Sequence, residues 1–109
     1  MSVHLTSRRD QGGVSLSPFP LRAGETVTVY YNGLLADSGA HEVTLHMGHG
    51  DQWSGSRDIK MQQTAKGWES TISLDRSEKL NFCFRDNAGN WDNNNGVNWS
   101  HEILNPQFT

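Results

Sequence analysis

Apolar residues in this chain recur at every second position in four separate runs, and that period leaves little open except a β-sheet fold. In "ETVTVYYNG", Val27, Val29 and Tyr31 alternate with Thr26, Thr28 and Tyr30; in "HEVTLHMG", Val43, Leu45 and Met47 alternate with Glu42, Thr44 and His46. In "GWESTISLD", Trp68, Ser70, Ile72 and Leu74 share one face, and in "KLNFCFRD" Leu80, Phe82 and Phe84 stand against Asn81, Cys83 and Arg85. Successive side chains of a strand point to opposite faces, so each run reads as a strand with one face in a core. Its β-branched and aromatic content agrees. Weaker runs at Val14–Ser17, 58–62 and 98–104 read as further strands. No stretch keeps a 3.6-residue period for three turns, so helix is expected to be almost absent.

Glycine, asparagine and serine clusters such as "NGLLADSGA", "GHGDQWSGS" and "DNAGNWDNNNG" separate the runs and mark turns. Roughly seven short strands with turn signals every eight to twelve residues or so are the pattern of a β-sandwich. The expected fold is therefore all-β: a single-domain, immunoglobulin-like antiparallel β-sandwich over residues 14–109. Residues 1–13 are expected to form a flexible N-terminal segment, and Pro18 and Pro20 make "SPFPLRAG" an extended or turning connection. A chain of 109 residues has room for one core of ordinary size.

Composition removes several function classes. The formal net charge is −3 and no Lys/Arg cluster is longer than Arg8-Arg9, so the basic stripe of a nucleic-acid binder is missing. No apolar run approaches the ~20 residues of a membrane span. The start, "MSVHLTSRRDQGG", lacks a secretory apolar stretch, so a cytoplasmic location is expected if the chain is complete; a piece of a secreted enzyme would have lost its leader. The single cysteine, Cys83, has no partner for an internal disulfide and, between Phe82 and Phe84, reads as a packed thiol.

Four tryptophans sort into two kinds. Trp68 heads an alternating run and Trp99 keeps step with Ile103, which places both in the core. Trp53 and Trp91 instead sit in glycine-rich polar loops, "GHGDQWSGS" and "GNWDNNNG". Such an indole either folds back to cap the end of the sandwich or stays as a flat apolar platform for a ligand. The alternation puts His46 opposite Val43, Leu45 and Met47, pointing away from the core just before the Trp53 loop.

Other chemistries find weaker footing. "HEVTLHMGH" holds His41, His46 and His49, but the spacing matches no strong zinc pattern. The EF-hand register fails in the asparagine-rich loop, because Trp91 or Val97 falls where its glycine is needed; a looser calcium loop or a plain turn stays open. Glycosidase chemistry needs two opposed carboxyls in a cleft, and Glu42, Asp86 and Asp92 sit on a fold that offers shallow loops. No nucleophile-elbow, P-loop or H-E-x-x-H motif occurs. Neither a cofactor nor catalysis is expected.

The residues of the last third, "NFCFRDNAGNWDNNNGVNWSHEI", resemble the C-terminal signature of starch-binding carbohydrate-binding modules of family 25 and the related family 53. That signature is an aromatic strand, an Asp, a short Gly/Asn turn, then Trp-Asp-Asn-Asn, Gly and Asn-Tyr. Upstream, "VTVYYNGLL" resembles the family's opening strand, "VTLHMGHGDQW" its strand ending in His-x-Gly before a loop tryptophan, and "GWESTISL" its Gly-Trp strand. The likeness runs over residues 23–103. Met47 stands where the family often has an aromatic residue, and Trp99 replaces the usual tyrosine.

The resemblance implies a non-catalytic β-sandwich module that binds α-1,4-linked glucans: starch, glycogen or malto-oligosaccharides. It implies a platform of His46, Trp53 and Trp91, supported by Asp92, Asn93, Asn94 and Asn95 of the turn. It also implies a glycoside hydrolase or a glucan-synthesising enzyme as the catalytic partner. An indole can cover the apolar face of a glucose ring while amides and an imidazole pair its hydroxyls. A shallow site that orders a flexible chain gives an affinity of roughly micromolar to millimolar. The reading from another class is a β-sandwich for protein–protein interaction or scaffolding, with both loop tryptophans as core caps.

Overall fold

The computed structural model describes residues 7–105. The strands are β1 (Arg8–Asp10), β2 (Val14–Ser17), β3 (Leu21–Arg22), β4 (Thr26–Tyr31), β5 (Val43–His49), β6 (Ser54–Lys60), β7 (Gln62–Thr64), β8 (Gly67–Ser73), β9 (Leu80–Asp86), β10 (Trp91–Asp92), β11 (Trp99–His101) and β12 (Ile103–Leu104). A single helical turn, α1 (Leu34–Asp37), is the one helix among them. One sheet runs β1-β2-β4-β8-β7 and the other β10-β9-β5-β6, with β11 also on β9. All pairs in these two sheets are antiparallel; β12 and β3 form a separate parallel pair. The fold is an antiparallel β-sandwich, as the period-two runs predict.

The alternation decides which residues meet between the sheets. Val27, Val29 and Tyr31 of β4 are buried, as are Val43, Leu45 and Met47 of β5, Trp68 and Ile72 of β8, and Leu80, Phe82 and Phe84 of β9. They form one cluster that includes Trp99. Tyr31 and Phe84 stack across the two sheets with ring centroids 4.0 Å apart, and Trp99 packs on both Phe82 and Phe84. Fully burying side chains of this kind stabilises by about 1.5–3 kcal/mol each, so these runs hold the sandwich together.

Three segments differ from the expectation. The 58–62 run hides a change of sheet: β6 ends at Lys60, Met61 passes inward with its N–H on the Val43 carbonyl, and β7 begins on the other sheet. The 98–104 run likewise splits, β11 pairing with β9 and β12 with β3. Arg8–Asp10 is a strand on β2, inside the segment expected to be flexible; residues 1–6 of that segment lie outside the described residues. The connection through Pro18 and Pro20 carries two cis peptide bonds.

The outer face of β9 is not left open to solvent. Asn81 and Cys83 alternate with the core residues, yet both are buried. Strand β9 is interior to its sheet, with β5 on one edge and β10 and β11 sharing the other. Asn81 is held on both sides of its amide, donating to the Gly50 carbonyl at 2.7 Å and accepting from Ser100 Oγ at 2.6 Å. At this end of β9 the outer face is thus covered by the Gly50 turn and by β11.

Candidate functional site

Register builds the site across four strands. His46 on β5 lies opposite Cys83 on β9 and opposite Asp58 on β6, and Trp91 on β10 lies opposite Arg85 on β9. Opposed residues share a face, so all of these project outward from the sandwich. The tryptophan of the preceding loop completes the group. Trp53 and His46 stack with centroids 5.3 Å apart and planes 17° apart. Trp91 meets the same imidazole edge-on, at 5.7 Å and 87°. The two indoles therefore stand steeply inclined to one another around one histidine, and Trp91 keeps 49% of its surface exposed.

Local structure explains why both loops fold back over the sheet. Gly50 is docked on the start of β9: its N–H reaches the Lys79 carbonyl at 2.9 Å and its carbonyl accepts from Asn81. Asp51 pairs with Lys79 at 2.8 Å, which holds the Asp51 carboxyl below its ordinary range. Trp53 then closes the turn in the left-handed region, φ 51°, where a bulky residue costs on the order of 1–3 kcal/mol. Gly48 beneath it leaves the needed room, since a Cβ there would lie 2.9–3.0 Å from Trp53 Cε3, Cα and Cβ.

The asparagine-rich turn is built from its own side chains. Asp92 turns inward: its Oδ2 accepts from the Tyr31 hydroxyl at 2.6 Å, and that hydroxyl accepts the Leu35 N–H at 2.9 Å. Burial, then the bond to Asp92, holds the Tyr31 phenol above its ordinary value. Asn93 Oδ1 accepts the Gly96 N–H, while Asn94 donates to the Asn98 carbonyl and accepts from Gln11. Asn94, Asn95 and Asn98 all have positive φ, a conformation that asparagine tolerates better than most residues. Of the seven residues singled out in the sequence, His46, Trp53 and Trp91 converge. Asp92, Asn93 and Asn94 are engaged within the turn, and Asn95 lies exposed on it.

Sequence reasoning missed Asp58 and Arg85. Asp58 Oδ1 lies 2.5 Å from His46 Nδ1, and its Oδ2 accepts from Arg85 Nη2 at 3.1 Å. The Arg85 guanidinium sits 5.7 Å from the Trp91 ring centroid, within cation–π range. Asp58 falls in a run with weak alternation, and only the β5–β6 register brings it to His46. The buried Cys83 thiol lies on this face too; burial, helped by the charges of Asp58 and Asp92, pushes it up to about 11. It is therefore protonated and uncharged at neutral pH.

The arrangement suits adsorption of a partly apolar, hydroxyl-rich ligand. His41 is exposed and His49 is buried on the inward side, so the three imidazoles do not converge. Among the described residues no group of three or more His, Cys, Asp or Glu is placed to hold a metal. Glu42 pairs with Lys60, Asp86 accepts from Asn90 and Ala88, and Asp92 accepts from Tyr31. Each carboxylate thus has a separate local role.

The sequence profile of a starch/carbohydrate-binding module, family 53, matches residues 27–82 of this chain. That span contains His46, Trp53 and Asp58 and ends before Trp91. An alpha-amylase of Clostridium acetobutylicum is 44% identical over 82 residues, covering 73% of this chain and 10% of the amylase. The chain thus spans about a tenth of the length of this curated relative. No solved structure gives a significant match.

Two measurements check this geometry. Gly48→Ala should push the Trp53 loop off β5, seen as an altered near-ultraviolet circular dichroism signal with the sandwich still folded; an unchanged signal would count against the close approach. Tyr31→Phe leaves a half-buried carboxylate and the Leu35 N–H short of a partner, and should cost about 1–3 kcal/mol. Tyr31 holds its proton more tightly in the fold than in the unfolded chain. Its contribution is therefore full below pH ~10 and is lost as pH rises through the folded-state value. Melting curves should show wild type and Tyr31→Phe converging at high pH; a gap that stays constant would contradict the assignment.

Proposed function

Since the chain belongs to the starch/carbohydrate-binding module family 53 and is a non-catalytic glucan-binding module, we propose that His46, Trp53 and Trp91 are its α-glucan platform. The observation that carries this reading is the pair of inclined indoles around one imidazole, with Trp91 half exposed. An α-1,4-glucan curves from one glucose to the next, and two planes at a steep angle suit it better than a flat β-glucan. Asp92, Asn93 and Asn94 serve by building the turn that presents Trp91, and Asn95 offers an amide at its rim. The likeness to family 25 in the Trp-Asp-Asn-Asn block supports the same assignment.

The biological setting is part of the proposal. The clostridial relative is an alpha-amylase, so the module's role is to hold such an enzyme, or another glucan-active enzyme, against its polymer. One shallow platform gives modest affinity, and repeated modules on a repeating polymer would raise it by avidity.

Titration of maltoheptaose against tryptophan fluorescence tests the platform. Wild type should respond at micromolar to millimolar sugar, on the order expected of a shallow site, and a Trp53→Ala, Trp91→Ala double variant should lose the response while still melting cooperatively. Were the indoles core caps of a protein-interaction domain, the double variant would instead lose about 3–5 kcal/mol per buried ring. Full sugar binding by that variant would refute the assignment.

A further inference from the structure

We propose that Asp58 is the positioning residue of this platform, fixing both the tautomer of His46 and the guanidinium of Arg85. The inference rests on the platform reading and adds to it the hydrogen-bond polarity the site presents to sugar. Asp58 sits on β6 in register with His46, and its two oxygens face two different donors: Nδ1 of His46 at 2.5 Å and Nη2 of Arg85 at 3.1 Å. A carboxylate only accepts, so the His46 proton is drawn to Nδ1, and in the neutral ring Nε2 is left with a bare lone pair. Nε2 makes no hydrogen bond to the described residues. The platform thus meets a glucose hydroxyl with an acceptor, and the sugar must donate.

Arg85 depends on the same carboxylate. Its Nε is enclosed without a hydrogen-bond partner among the described residues, so Asp58 is what anchors the guanidinium beside the Trp91 ring. Two donors converging on one side chain also explain why an acid is needed rather than an amide. Asparagine would accept from one and present its own N–H to the other. Cys83, the remaining titratable group facing His46 from β9, is a protonated thiol and does not compete for the role. Asp58 is 46% exposed, so its removal leaves no cavity and need not disturb the fold.

The test uses Asp58→Ala and Asp58→Asn. Nitrogen-15 spectra of the sugar-free protein should show the neutral His46 ring protonated at Nδ1, and Asp58→Ala should release that proton from Nδ1. Maltoheptaose affinity should fall roughly ten-fold, the loss of one charge-assisted bond, with the melting temperature close to wild type. Asp58→Asn should give either the released tautomer or an unanchored Arg85, again with weakened binding. Nδ1 protonation that persists in Asp58→Ala, or unchanged maltoheptaose affinity, would overturn the proposal. Absence of maltoheptaose binding by the unaltered protein would overturn the platform reading and the sugar-facing role together. The tautomer, read without sugar, still decides whether Asp58 positions His46.

Discussion

The close approach of the Trp53 indole to the backbone of Gly48 is the contact on which the outer face of the second sheet depends. A side chain at Gly48 would occupy the space that the indole and its Cα need. With glycine there, the loop folds flat against β5, Gly50 closes over Asn81, and the imidazole of His46 gains a stacking partner. The left-handed backbone of Trp53 is unfavourable in isolation. It persists because docking at both ends of the loop determines it. Strain held at a half-buried aromatic residue is the kind of local cost that folds retain at functional surfaces.

The fold was legible because four strands alternate strongly, and one face of each had to be buried. The same logic put His46 outward and Trp68 and Trp99 inward. It failed where chain direction, rather than polarity, changes. The passage of Met61 between sheets leaves no mark in an alternating pattern, and neither does the break between β11 and β12. The convergence of the aromatic residues was legible only in part, since an indole among glycines and asparagines either caps the sandwich or faces a ligand. Asp58 and Arg85 were not, because their meeting is set by the registers of β6 and β9 on β5, which single-sequence periodicity does not fix. The inward turn of Asp92 was hidden for the same reason: its partner, Tyr31, lies in the other sheet.

Electrostatically the face is restrained. Asp58 pairs with both His46 and Arg85, Lys60 pairs with Glu42, Cys83 is a protonated thiol, and Trp53 and Trp91 add aromatic surface. A site of that composition has little reason to hold ions and much reason to hold a neutral molecule with an apolar face and hydroxyl edges. Membership of the starch/carbohydrate-binding module family 53 and the proposed platform are consistent with the same chemistry. The family match stops short of Trp91, whose place in the proposed platform is argued from its edge-on packing against His46.

Sugar should meet the protein at Trp53, His46 and Trp91 and nowhere in the core. Indole N–H resonances recorded during a maltoheptaose titration read this residue by residue, because the chain carries its own controls in Trp68 and Trp99. Concentration-dependent shifts are expected at Trp53 and Trp91, accompanied by His46, while Trp68 and Trp99 hold still. Still resonances at Trp53 and Trp91 under saturating sugar would contradict the platform.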